Sequence, residues 1–265
     1  MNFLNVENKT FLISGVSNKK SVAYFSAKTL SENGAKLLFT VLDEDTKGRV
    51  EKLFPESDIY IVNVENTESI EKLKTELTNK KVHLHGFLHS MAFANYSEGM
   101  KPFHETKLED YLQASNISCF SLVSLSNALK DLFDPHASVV TISISSTRAT
   151  NYGYMGPIKA SLDATVAFLA KSFSTFSQVR FNAVCSGPLK TSASAGIPGY
   201  IDNYLYAEAL TMRNKALETQ EVANTVAFLL SPVSSGINAS GVLVDAGMSA
   251  NYFDEKVVSS FSKNQ

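Results

Sequence analysis

The amino-acid sequence predicts an α/β fold: a single Rossmann-like domain built on a doubly wound, parallel, seven-stranded sheet. Apolar runs of strand length alternate with segments of helical spacing along the whole chain, which is the pattern of parallel βαβ units. The apolar runs are continuous, as expected for strands covered on both faces. The chain has 265 residues, of which 44% are hydrophobic, and neither a linker nor an internal repeat divides residues 1–265. We therefore expect one large core.

The elements can be assigned in chain order. The predicted strands are residues 10–14, 35–41, 58–63, 84–89, 137–143, 179–184 and 241–245. The predicted helices are residues 21–33, 46–53, 108–133, 155–176 and 220–230. One more helix is expected to open at Thr67 as its N-cap, and Gly34 is a stop signal for the first helix. The polar residues 255–265 are expected to fray or to pack only in an oligomer.

Composition and charge argue against several classes of function. The formal net charge is −2, so no basic face for nucleic acid is expected. No apolar run approaches the ~20 residues that cross a bilayer. The polar start of the chain lacks the apolar segment of a signal peptide, so we expect a cytoplasmic protein with no membrane association.

The cysteines and histidines do not predict a metal site. Cys119 and Cys185 lack CxxC spacing and are expected to be buried. His83, His85 and His89 alternate along one predicted strand, which could suggest ligands. No carboxylate or cysteine cluster accompanies them in the sequence, and we predict that the protein holds no metal.

The turn after the first strand is a candidate cofactor turn. Ligands of doubly wound sheets bind beyond the carboxyl ends of the strands. Gly15 is the only glycine of this turn and there is no GxGxxG, but a helix that begins near Ser21 would point backbone N–H groups at a phosphate. An ordinary strand-to-helix turn explains the spacing equally well.

A tyrosine and a lysine form the candidate catalytic pair. Tyr152 and Lys159 have Tyr-x6-Lys spacing, which on a helix would place both on one face, ~10 Å apart along the axis. Taken alone, the pair also fits a surface tyrosine and a solvated lysine. Pro157 lacks an N–H group and is tolerated only in a first turn, so the helix should begin near Tyr154 or Met155.

The cofactor turn and the catalytic pair both resemble segments of enoyl-acyl-carrier-protein reductases, a divergent branch of the short-chain dehydrogenase/reductase family. The turn has that branch's Gly-x5-Ser-[Ile/Val]-Ala pattern from Gly15 to Ala23, and the pair has its Tyr-x6-Lys spacing rather than the usual Tyr-x3-Lys. Further similar segments follow in the same order at residues 63–64, 89–94, 116–118 and 186–191. The resemblance covers about residues 5–251.

The resemblance implies an NADH-dependent reductase of the 2,3 double bond of a trans-2-enoyl thioester, carried by acyl-carrier protein in fatty-acid synthesis. Hydride adds to the β-carbon and negative charge develops on the thioester oxygen. Tyr152 would stabilise that oxygen by a hydrogen bond or donate a proton. Lys159 would hold the nicotinamide ribose and make the phenol more acidic. A reductase or dehydrogenase for another carbonyl or enoyl substrate, and an inactive cofactor-binding paralogue, remain as alternatives.

The resemblance also implies the binding residues. The implied cofactor-binding residues are Gly15, Ser21, Val22, Leu42, Asn63, Val64, Ser90, Met91, Ala92, Ile117, Lys159, Gly187, Pro188, Leu189 and Thr191. The implied substrate-binding residues are Phe93, Ala94, Ile144, Tyr154 and Met155. Many family members have a tyrosine where Ile144 stands, and the connection from there to Tyr152 is shorter here.

Residues 192–212 correspond to the family's lid over the acyl chain. Tyr200, Tyr204 and Tyr206 within this segment also fit an amphipathic helix that packs on the core. The family forms homotetramers through paired helices and the last strand, and the aromatic end of residues 247–253 is consistent with such an interface.

Three carboxylates bear on the choice of cofactor. Asp43, Glu44 and Asp45 follow the second strand, where they would repel a 2′-phosphate and one could bond a free 2′-hydroxyl. We therefore predict NADH over NADPH. An acidic first turn that complements the helix dipole is the alternative explanation.

Overall fold

The sheet has seven parallel strands, as predicted. The structure, a computed structural model, describes residues 3–262. The strands are β1 (Thr10–Ser14), β2 (Lys36–Val41), β3 (Asp58–Ile61), β4 (Leu84–His89), β5 (Phe133–Ile144), β6 (Arg180–Ser186) and β7 (Ser240–Val244). Their order is β3-β2-β1-β4-β5-β6-β7, and all neighbours run parallel. The chain reverses its direction of travel across the sheet between β1 and β4, which is where ligands of such sheets bind.

Helices connect the strands. They are α1 (Val22–Glu32), α2 (Glu44–Leu53), α3 (Thr67–Asn79), α4 (Leu108–Ser115), α5 (Ser121–Leu129), α6 (Met155–Phe173), α7 (Ser192–Ala195), α8 (Tyr200–Leu210), α9 (Thr219–Leu230) and α10 (Glu255–Ser262). None of the helices within residues 3–262 has the length and apolarity to span a bilayer. The tail predicted to fray, residues 255–265, contains the helix α10 up to Ser262. Its last three residues lie outside the described residues.

The core lies on both faces of the sheet, which explains the continuous apolar strands. Leu12 packs into a cluster on the face covered by α3, α5 and α6. Its neighbours Phe11 and Ile13 pack into a second cluster, with α1 and α9. Successive strand residues point to opposite faces, so a strand buried on both sides must be apolar throughout.

Two predicted helix boundaries are wrong. The cap of α3 is Asn66, whose side chain accepts the N–H groups of Glu68 and Ser69, so Thr67 is already the first helical residue. The predicted helix 108–133 ends early: a π-helical segment, Asn116–Phe120, separates α4 from α5, and β5 begins at Phe133. Pro135 cannot continue a helix, and pairing of Phe133 with Leu84 starts the strand.

Candidate active site

The implied cofactor-binding residues follow the carboxyl ends of successive strands. Gly15 follows β1, Leu42 follows β2, Asn63 follows β3 and Ser90 follows β4. Residues 187–191 follow β6, and Ile144 ends β5. Because all the strands are parallel, these positions meet at one end of the sheet, called the carboxyl end below. The structure therefore brings together residues that are more than 170 positions apart in sequence.

The crevice between β1 and β4 has room for backbone only. Gly15 has φ +94°, and a Cβ built there would stand 1.9 Å from the carbonyl oxygen of Ser90. Ser90 in turn donates its N–H to the carbonyl of Ser14 at 3.3 Å. Ser21 caps α1 by accepting the N–H of Tyr24 at 3.1 Å, and the amino end of this helix follows the crevice. This arrangement gives a phosphate unobstructed backbone and a helix amino terminus.

The polar side chains that follow β2 and β3 form hydrogen bonds with nearby backbone N–H groups. Leu42 is 63% exposed, as a residue that lies against a ligand could be. Asp43 caps α2 by accepting the N–H of Thr46 at 2.7 Å, and this bond lowers its pKa. Asn63 accepts the N–H of Glu65 at 2.9 Å. Asp43 is thus the N-cap that the alternative explanation expects.

Tyr152 is partly buried in a short 3-10 turn, Thr150–Tyr152, rather than on the helix of Lys159. Gly153 separates the two with φ 60° and ψ −149°, so the helical distance predicted from their spacing does not apply. The helix α6 begins at Met155 with Pro157 in its first turn, as predicted. Burial raises the pKa of Tyr152 to about 12, and the neighbouring phenol of Tyr200 adds to the rise.

The predicted acidification of Tyr152 by the lysine is wrong for the protein without ligands. Its phenol stays neutral over the physiological range and is therefore a hydrogen-bond donor. Among the described residues, its hydroxyl has no hydrogen-bond partner. The site thus offers a buried donor whose bond remains to be made.

Lys159 is a buried cation with little to satisfy it. The residue is 4% exposed, and its Nζ donates one hydrogen bond, at 2.7 Å, to the carbonyl of Ile142 in β5. Burial lowers its pKa to about 8, against an upward effect of the Asp163 carboxylate one helical turn away. An ammonium has three donors, so two remain for a ligand.

The π-helical segment brings Ile117 and Ser118 against the loop after β4. Ser118 Oγ accepts the N–H of Phe93 at 2.9 Å and lies 3.2 Å from the carbonyl oxygen of the same residue. Single-turn π-helices are frequent at functional sites. Residues 116–118 were singled out by the resemblance, but helical periodicity could not reveal that they are π-helical.

His89 anchors this segment to the sheet. Its Nε2 is 2.8 Å from Ser121 Oγ, which donates its own proton to the carbonyl of Ile117, so Nε2 is the donor. Its Nδ1 then accepts from Thr141 Oγ1 at 2.9 Å. Burial lowers the pKa of His89 to about 3, and the ring is neutral.

His83 and His85 do have a carboxylate neighbour, contrary to the sequence analysis. Asp134 of β5 lies 3.0 Å from His83 Nε2, and ligand atoms of the three side chains lie within 4.8 Å of one another. However, His85 Nδ1 accepts the N–H of Thr10 at 3.1 Å. The neutral ring then carries its proton on Nε2, which leaves it no lone pair for a metal.

The implied substrate residues lie beside Tyr152. Tyr154 and Met155 are buried where α6 begins, and the Tyr154 hydroxyl donates to the carbonyl of Asn95 at 3.1 Å. Ala94 packs on the same core cluster, whereas Phe93 is 43% exposed. Tyr96, which the sequence analysis did not select, joins this group by packing its ring against Tyr154.

The lid segment contains both a helix packed on the core and a link to the site. Tyr204 of α8 is buried, as the core-helix explanation expects. Tyr200 hydrogen-bonds both the N–H and the carbonyl of Leu189, at 2.8 and 3.0 Å. Lys190 lies over the Tyr204 ring, 4.4 Å from its centroid. The predicted lid segment is therefore hydrogen-bonded to the segment after β6.

Comparison with known proteins identifies the family. A sequence model described as Enoyl-(Acyl carrier protein) reductase matches residues 15–249. The chain belongs to this family.

Individual relatives are similar to this chain over nearly its whole length. The FabI enoyl-acyl-carrier-protein reductase of Staphylococcus aureus, named as NADPH-dependent, is 34% identical over 254 residues, or 93% of this chain and 99% of that protein. The NADH-dependent FabI of a Nostoc species is 35% identical over 92% of this chain and 97% of that one. The crystal structure of the NADH-dependent reductase of Aquifex aeolicus superimposes with a TM-score of 0.87, at 30% identity, covering 92% of this chain and 97% of that chain.

Proposed function

We propose that this protein is an enoyl-acyl-carrier-protein reductase of fatty-acid synthesis, which reduces the 2,3 double bond of a trans-2-enoyl thioester. The observation that supports this most directly is a neutral, partly buried phenol, Tyr152, at the same end of the sheet as the bare-backbone turn at Gly15. Family membership supplies the substrate class, because the fold alone would fit many reductions.

The residues at the carboxyl end of the sheet fit a dinucleotide. The turn at Gly15 packs against the Ser90 backbone with no side chain between them, and the amino terminus of α1 follows it; both features suit a pyrophosphate. Lys159 has donors to spare for ribose hydroxyls, and Ile117 and the residues after β6 lie around the same end. When bound, the cofactor supplies the hydride.

Tyr152 would act on the oxygen that becomes negative. As hydride arrives at the β-carbon, the electron pair of the double bond moves toward the thioester oxygen. The Tyr152 hydroxyl donates a hydrogen bond to that oxygen, and the bond strengthens as the charge grows. Its raised pKa keeps the proton on the phenol until then. Protonation of the α-carbon completes the reduction, directly from the phenol or through water.

The preference for NADH is part of the proposal. Glu44 and Asp45 begin α2 beside Asp43, and their charges oppose a 2′-phosphate. Relatives of this chain include both NADH- and NADPH-dependent enzymes, so the residues after β2 must decide the choice.

Assembly and location complete the proposal. We infer a cytoplasmic homotetramer that receives its substrate from acyl-carrier protein. Large apolar side chains stand exposed on the helices and at the last strand, at Leu112, Phe120, Phe168, Leu243 and Phe253. A second copy that covered them would explain their exposure. Light scattering of the purified protein should give four times the chain mass, and a monomer would contradict this part.

The test of the activity is NADH oxidation, followed by absorbance, with a trans-2-enoyl thioester. The wild type should turn over, and Tyr152→Phe should lower kcat by about 100-fold or more. Lys159→Ala should weaken NADH binding as well. Binding of NADH with no turnover of any enoyl thioester would contradict the proposal and favour an inactive paralogue.

A further inference from the structure

The hydroxyl of Tyr96 is buried without a partner. Tyr96 lies in the loop after β4, and its side-chain oxygen is shielded from solvent yet forms no hydrogen bond. Leaving a buried hydroxyl unsatisfied costs about 1–3 kcal/mol, so folded proteins rarely do it without a functional reason.

The position of this hydroxyl is next to the candidate catalytic residue. It lies 3.9 Å from the point where a Cβ on Gly153 would stand, and Gly153 directly follows Tyr152. The same point is 2.9 Å from Met100 Sδ, so the loop after β4 packs closely against Gly153. Tyr96, Met100, Gly153 and Tyr154 line one cleft.

Tyr154, which packs against Tyr96, has a hydroxyl that does form a hydrogen bond and so provides a comparison. The rings of Tyr96 and Tyr154 pack with centroids 5.7 Å apart. Tyr154 donates its hydroxyl proton to the carbonyl of Asn95, whereas Tyr96 has no such acceptor. Burial, with the phenols of Tyr152 and Tyr154 nearby, raises the pKa of Tyr96 far above its ordinary value. Tyr96 is therefore a neutral donor with an empty acceptor position.

We propose that Tyr96 is a further substrate-binding residue, whose hydroxyl donates a hydrogen bond to a carbonyl oxygen of the acyl-thioester substrate. This inference rests on the proposed reductase function. A carbonyl oxygen has two lone pairs, so it can accept from Tyr152 and from a second donor. Two oxygens of the substrate have this chemistry: the thioester oxygen itself, and an amide oxygen of the pantetheine arm that carries it.

The variant Tyr96→Phe tests the proposal, because it removes the hydroxyl and keeps the ring. With enoyl-CoA as substrate we expect a roughly tenfold loss of kcat/KM. NADH binding should not change. The melting temperature should stay the same or rise, because no bond within the protein is lost. Tyr60→Phe is the control. It also removes a phenol hydroxyl, but Tyr60 lies in the edge strand β3, where Lys80 lies over its ring.

A second substrate separates the two oxygens. A simple alkyl enoyl thioester has the thioester oxygen and no amide. If Tyr96 binds the thioester oxygen, the loss appears in kcat and persists with this substrate; if it binds the amide, the loss appears in KM and with enoyl-CoA alone. A wild-type enzyme that is active while Tyr96→Phe matches it on both substrates would overturn the inference. A wild type inactive on every enoyl thioester would instead overturn the proposed function.

Discussion

Two buried cations in this protein, at nearly equal depth, have opposite surroundings. Lys159 is 4% exposed and Arg180, at the start of β6, is 6% exposed. The Arg180 guanidinium donates to the carbonyls of Leu229, Ser231, Ser234 and Ile237, and to Ser234 Oγ, at 2.9 to 3.3 Å. Lys159 reaches one carbonyl. Arg180 thereby bonds the Leu229 carbonyl in the last turn of α9, which a helix leaves unpaired, the carbonyl of the C-cap Ser231, and two carbonyls of the turn that follows.

The contrast between Arg180 and Lys159 distinguishes side chains that stabilise the fold from side chains that we propose bind a ligand. A buried charge costs stability unless hydrogen bonds compensate it. Arg180 is compensated by the protein itself, whereas Lys159, Tyr152 and Tyr96 at the carboxyl end of the sheet are not. In the proposed function, cofactor and substrate would supply partners for these groups.

The largest effect expected from this contrast is on catalysis by Lys159→Met. The change should lower kcat/KM for an enoyl thioester by about 100-fold or more, because it removes the group that we propose orients the ribose of the cofactor. The free energy of unfolding should be unchanged or higher, since a poorly compensated buried charge disappears. Urea titration beside the NADH assay measures both. If Lys159→Met loses activity only because it unfolds, Lys159 stabilises the fold as Arg180 does, and the contrast is wrong.

Arg180→Met should show the reverse behaviour. The free energy of unfolding should fall by about 3 kcal/mol or more, because carbonyls at the end of α9 lose a charged donor. At a temperature where the variant is folded, its kcat should stay near that of the wild type. Urea titration at constant pH gives the first quantity. A stable Arg180→Met variant would show that these carbonyls find other partners.

His89 should make the protein sensitive to acid. Its pKa is about 3 in the folded state, well below the ordinary value of 6.5, so between these pH values the unfolded chain binds the extra proton. Stability is therefore fully retained above about pH 6.5 and should fall by about 1.4 kcal/mol per pH unit on acidification. His89→Gln, which cannot titrate, should show a shallower slope in urea titrations over the same range. Equal slopes would mean that other groups control acid unfolding.

The smallest expected effect concerns Asp43, which caps α2 and which we propose lies near the ribose of the cofactor. Asp43→Asn keeps a good N-cap but removes the charge. The ratio of kcat/KM for NADPH to that for NADH should rise a few-fold, with the melting temperature unchanged. Asp43→Ala, which also loses the cap, should lower the melting temperature. If the ratio of kcat/KM for NADPH to that for NADH is unchanged in both variants, Asp43 acts only as the N-cap of α2.

The sheet and the ends of its strands were predictable from sequence, because both depend on local patterns. Continuous apolar runs gave β1 and β4 to the residue, and Pro157 located the start of α6. Pro157 also predicted that Tyr152 lies just before the helix, as it does. The details of the site depend on packing. The π-helical segment at Ile117 and the unpaired hydroxyl of Tyr96 arise from contacts between distant segments. No periodicity in the sequence reports such contacts.

The most direct test of the central claim is thermal unfolding of Lys159→Met and Arg180→Met with and without saturating NADH. A bound ligand raises stability according to its affinity, by about 2.7 kcal/mol at 100 times Kd. We predict that Lys159→Met melts at or above the wild-type temperature and gains much less from NADH. Arg180→Met should melt lower and gain as much as the wild type does. If Lys159→Met melts lower and keeps the full gain from NADH, Lys159 is a structural residue and the account is contradicted.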